Sequence, residues 1–149
     1  MKYRTLIYFL ISMAAIGSAV IWFIRLPKDP EVIRVFTARI NRACAPWDGA
    51  AFTVFISYDP FSEIEISLWR APNIEYPTTF SFPDLTGKVG DAIYQPQVGE
   101  LQQLSGKVFF QRVEESSPVS GEFDLRSVNG NRYRGRFNAI WENHIVLCG

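Results

Sequence analysis

At 149 residues, with 48% hydrophobic and 15% aromatic residues, the chain is long enough for one folded domain and too apolar to be disordered. Its formal net charge is zero, but Lys2, Arg4, Arg25 and Lys28 account for four of the 15 Lys and Arg; residues 29–149 therefore hold 11 basic against 15 acidic residues, a net of −4. With no global basic field, nucleic acid is not an expected partner.

Residues 6–24 are nineteen positions without a charge. As a helix rising about 1.5 Å per residue they would roughly match a ~30 Å hydrocarbon core. Lys2 and Arg4 precede the run, Arg25 and Lys28 follow it, and Tyr3, Tyr8 and Trp22 occupy interfacial positions. The reading is a single N-terminal transmembrane helix within an anchor of residues 1–28, with the bilayer as a partner. A cleaved signal peptide with its site near Gly17-Ser18-Ala19 and a buried core helix are the alternatives, but the apolar run continues past that site.

Orientation is set by two opposed signals. Arg25, Lys28, Arg34, Arg39 and Arg42 outnumber Lys2 and Arg4, which taken alone places the domain in the cytoplasm. A short basic N-terminus before one apolar segment resembles a signal-anchor, and the cysteine placement favours an oxidising compartment. The expectation adopted is an extracytoplasmic domain, periplasmic or extracellular.

Residues 29–149 are expected to form one β-rich domain, an antiparallel sandwich or flattened barrel. After Pro27 and Pro30 break the helix, Phe36, Ala38 and Ile40 alternate with polar residues at the period of a strand. Residues 44–49 are turn material. Phe52, Val54, Ile56 and Tyr58 then share one face of a second strand, and Asp59-Pro60-Phe61-Ser62 turns it into a third with Ile64, Ile66 and Leu68 inward and Glu63, Glu65 and Trp69 outward. From 71 to 103 prolines interrupt the pattern, leaving short strand candidates at 79–82 and 89–94.

The last third carries three strands that each begin with glycine, at Gly106, Gly121 and Gly135, and put Val108/Phe110, Phe123/Leu125 and Phe137/Ala139 on one face. Parity selects their loops, because a one-residue slip inverts every side chain. A three-residue loop Asn129-Gly130-Asn131 sets Phe123 opposite Phe137 and Asp124 opposite Arg136. A four-residue loop from Glu115 to Pro118 sets Phe110 opposite Phe123, which makes Phe123 the expected centre of the core.

Chemistry-bearing residues are few. Cys44 and Cys148 stand at opposite ends of the domain and predict a disulfide, with two buried thiols as the alternative. With one histidine, His144, and two distant thiols, no metal or cofactor site is expected. No glycine-flanked serine marks a nucleophile, Glu63/Glu65 and Glu114/Glu115 read as solvated faces, and no catalytic residue is assigned. Trp69 falls on a polar face near Tyr76, and the two are candidate partner contacts. The function this supports is a non-enzymatic interaction or assembly module that meets another membrane or extracytoplasmic protein at the membrane surface. The alternative is a barrel that holds a lipid or glycan, recognisable by an interior pocket of hundreds of Å³.

Overall fold

The computed structural model describes residues 31–32, 37–46, 50–69, 74–84, 89–115, 117–142 and 146–148. The expected membrane segment at 6–24 and His144 lie outside the described residues. Among the described residues nine strands follow in chain order: β1 (Glu31–Val32), β2 (Thr37–Cys44), β3 (Ala50–Asp59), β4 (Ser62–Leu68), β5 (Thr78–Phe82), β6 (Gly90–Gln95), β7 (Gln102–Phe110), β8 (Val119–Ser127) and β9 (Arg132–Trp141). Among the described residues there is no helix.

Of the two architectures compatible with the sequence, the molecule takes the barrel. Strands β2-β3-β4-β6-β7-β8-β9 form a ring that closes where β9 lies parallel to β2. All other ring pairs are antiparallel. Closure satisfies backbone groups that an open sheet would leave at its edges. Two seams are thin: β2 and β9 share the pairs Arg39↔Ile140 and Ile40↔Trp141, and β6 and β7 share Ile93↔Gln103 and Tyr94↔Gln102.

The thin seams arise because β7 and β9 each change partner along their length. The first residues of β7 pair with β6, and those from Gly106 onward pair with β5. Gly106 sits at this change with φ 145°, and a Cβ there would stand 2.1 Å from the Asp124 carbonyl oxygen of β8. Only glycine lets the strand turn the corner while staying against its neighbour. Similarly, β9 pairs with β1 through Tyr133 and Arg134 and with β2 further along.

The inward faces follow the alternation read from the sequence. Phe52, Val54 and Ile56 of β3, Ile64, Ile66 and Leu68 of β4, and Val108, Phe110, Phe123, Leu125, Phe137 and Ala139 of the meander are all buried. The register within the meander differs from expectation by two residues in both hairpins. Phe123 pairs with Gly135 and Val108, not with Phe137 and Phe110, and Asp124 pairs with Arg134, not Arg136. The β8–β9 loop does have three residues, but they are Val128, Asn129 and Gly130, closed by Gly130 N–H to Ser127 O at 3.0 Å. Gly130 takes φ 82° at the last loop position, where a three-residue hairpin needs its left-handed residue. Placing that glycine last moves the loop by one residue and the register by two, so parity survives.

The β7–β8 connection is longer than the expected four residues, running over 111–118. Trp141 holds it by donating its Nε1 proton to the Glu114 carbonyl at 2.7 Å. The two-residue shift also moves the centre of the core. Phe110, fully buried, places its ring 5.7 Å from Phe52, 5.7 Å from Phe80 and 5.5 Å from Phe137, all edge-on. Phe137 in turn occupies the space over Gly121, where a Cβ would lie 2.4 Å from its ring.

Candidate functional site

Aromatic rings at contact distance occupy the barrel interior, so the accessible chemistry lies on its outer surface. Along β7, β8 and β9 the outward residues form three cross-strand rows: Ser105–Arg126–Arg132, Lys107–Asp124–Arg134 and Phe109–Glu122–Arg136. Five basic side chains face two acids there, in a domain whose overall balance is acidic. A shallow groove of about 610 Å³ runs over this face, lined in part by Lys107, Phe109, Glu122, Asp124, Arg134 and Arg136.

Only some of this charge is neutralised within the sheet. Arg132 grips Asp124 through two bonds, with Nε at 2.7 Å, and Arg136 Nε lies 2.8 Å from Glu122. The hydrogen bonds from Arg132 hold the Asp124 carboxyl below the usual carboxylate range, with the charges of Arg132, Arg134 and Arg126 adding to the effect against some burial. Asp124 is thus committed to its neighbours. Among the described residues Lys107, Arg126 and Arg134 form no salt bridge. Beside them the half-buried ring of Phe109 offers an apolar contact. Such a surface can take an acidic segment carrying an apolar side chain.

The opposite outer face, on β2-β3-β4-β6, is built differently. Arg39 stacks 4.5 Å over the Phe55 ring and reaches Glu63 at 2.9 Å and Glu142 at 3.6 Å. Thr53 and Ser67 are buried and share a hydrogen bond of 3.0 Å. Glu63 and Glu65, read from the sequence as a solvated face, are half-buried: the first is paired with Arg39, and the second lies diagonally across from Asp91. Burial raises the pKa of both Glu65 and Asp91, and the charge of Asp91 raises that of Glu65 further.

A carboxyl whose folded pKa is raised binds its proton more tightly in the native state. Its contribution to stability is therefore full below the unfolded pKa and is lost as pH rises through the folded one. Asp91→Asn and Glu65→Gln are expected to raise the melting temperature near pH 7 and to leave it unchanged in acid, below the range in which the unfolded carboxyls ionise. Equal effects at both pH values in thermal melts would show that the amides act through packing instead. Asp124 carries the opposite sign, and its contribution disappears as pH falls.

The structure joins Cys44 to Cys148 with Cα atoms 5.5 Å apart, as the sequence suggests. It places Trp69 and Tyr76 on the crossover between β4 and β5, both half-buried. Tyr76 packs against the core, burial pushes the pKa of its hydroxyl up to about 12, and its oxygen is buried with no hydrogen-bond partner among the described residues. Trp69 donates its backbone N–H to Val89 O at 2.8 Å. Arg132, Arg134 and Arg136 share the outward face of β9; among the described residues Arg132 and Arg136 form ion pairs and Arg134 does not, and the pairing of β7 with β8 sets Lys107 and Phe109 beside it. Among the described residues no group of His, Cys, Asp and Glu is arranged to hold a metal ion. Comparison with known proteins returns no matching family model, no matching characterised protein and no matching solved structure.

Proposed function

We propose that this chain is a membrane-anchored, non-enzymatic β-barrel domain on the extracytoplasmic side. Its outer β7-β8-β9 face binds an acidic segment of another membrane or extracytoplasmic protein. The observation that carries the reading is the set of basic side chains, Lys107, Arg126 and Arg134, that form no salt bridge among the described residues and stand beside Phe109 on one face of an otherwise acidic domain. Uncommitted charge at a rim steers encounter and selects partners of opposite sign. The anchor rests on the uncharged run at 6–24. The Cys44–Cys148 disulfide supports the oxidising side over the arginine count. Phe52, Phe80, Phe110 and Phe137 occupy interior space that a lipid- or glycan-binding barrel would need to leave open, which moves the weight to the outer face.

The test is capture of partners from membranes in mild detergent, comparing the natural chain with Lys107→Glu/Arg134→Glu. Both positions are outward, so the fold should be retained; two carboxylates opposite Asp124 should lower the melting temperature somewhat, and Lys107→Gln/Arg134→Gln, which removes the charge without that repulsion, serves as the control. The expected result is a protein that co-purifies with the natural chain, is lost on charge reversal and weakens with added salt. Identical captured sets for the two chains would remove this face from the account.

A further inference from the structure

We infer that one end of the barrel rests in the interfacial layer of the bilayer, through apolar side chains on the three loops that surround it. Those loops are the β3–β4 turn, the β6–β7 loop and the β8–β9 loop, which follow the last pairs Asp59↔Ser62, Tyr94↔Gln102 and Arg126↔Arg132. Each presents a large apolar residue to solvent: Phe61 is 62% exposed, Val98 86%, Leu101 63% and Val128 80%. One exposed apolar residue on a surface needs no explanation. A residue of that kind on each of three described loops of one end does, because turns otherwise select polar residues, glycine and proline. The remaining large exposed apolar residues among those described, Ile140, Val146 and Leu147, lie near the end of β9 and in the C-terminal segment.

The occupant follows from where the chain enters the barrel. Thr37, the first residue of β2, pairs with Ser57 beside the β3–β4 turn, and β1 lies against Tyr133 and Arg134 beside the β8–β9 loop. Both strands that follow the apolar run therefore begin at the apolar end. From Ile24 to Glu31 even a fully extended chain reaches at most about 25 Å. If residues 6–24 span the bilayer, this end of the barrel is the one held over it, within reach of its headgroups. The Asp59 carboxylate accepts the Phe61 N–H at 2.7 Å, while Glu100 and Arg126 add both signs of charge nearby. The apolar side chains rather than net charge then provide the attachment, as at other membrane interfaces. The disulfide-bearing end points away from the membrane, and the β7-β8-β9 face stands at its side.

This inference rests on the anchor proposed above, and the experiment separates the two. The full chain is inserted into vesicles of phosphatidylcholine and phosphatidylglycerol with a diazirine amino acid at position 61, 98, 101 or 128. The same probe at position 111, an exposed residue on a loop of the opposite end, serves as the comparison. After irradiation the expected result is lipid adducts at the four loop positions in several-fold greater yield than at 111, with the chain retained in the pellet after alkaline carbonate. Retention in the pellet with equal lipid labelling at both ends, or with protein adducts in place of lipid at the loops, overturns the docking and leaves the anchor standing. Release by carbonate overturns the anchor, and the docking with it.

Discussion

Phe110→Ala is expected to destabilise the domain by about 3–5 kcal/mol, the range for deleting a fully buried phenylalanine. Its ring touches Phe52 of β3, Phe80 of β5 and Phe137 of β9, so the void would open among three strands that can close on it only by moving the ring of sheets. Phe109→Ala, one residue earlier and on the outer face, is expected to change stability by less than about 1 kcal/mol. Denaturant melts of the full chain in detergent measure both. A pair of equal, small losses would mean that the inward face of β7 is misassigned.

The second large effect is expected from Cys44→Ser/Cys148→Ser. In the chain-entropy model a bond closing a loop of about 100 residues contributes about 4.7 kcal/mol, and measured values run from about zero to 5; here the separation is 104 residues. Its position adds to the argument. Cys44 ends β2 and Cys148 follows β9, so the bond spans the parallel seam, where Arg39↔Ile140, Ile40↔Trp141 and the Glu142 N–H to Ile40 O bond are the backbone links. Without the bond the barrel should open there first, and amide exchange should quicken at residues 140–142 before the rest of β9. A double variant that melts with the natural chain and protects those amides equally would show that the seam holds by itself.

Much of the barrel was legible in the sequence because its strands obey a strict two-residue period. Phe52, Val54 and Ile56, and the three inward pairs of the meander, could be assigned to the core without knowing which strand neighbours which. What periodicity does not encode is translation by two, since that preserves every face. The displacement of Phe123 from Phe137 to Gly135 is that kind of shift, decided by the left-handed backbone at Gly130. Nor could local pattern reveal that β7 abandons β6 for β5 at Gly106, or that β9 lies parallel to β2, because both are contacts between distant segments. The candidate site depends on the same information. Arg132, Arg134 and Arg136 look alike in sequence, and only the structure shows that Arg132 and Arg136 are bonded to Asp124 and Glu122 while Arg134 forms no salt bridge among the described residues. Of the four apolar loop residues only Phe61 is placed in a turn by the sequence pattern, and the common end of Phe61, Val98, Leu101 and Val128 emerges only from the ring order of the strands.

The central claim, a barrel held at the membrane on its oxidising side, is tested most directly by non-reducing peptide mapping of cell membranes alkylated at harvest. The account requires that the carbonate-washed pellet contain a peptide linked through Cys44 and Cys148. Two separately alkylated cysteines in that pellet would place the domain on the reducing face and contradict the account.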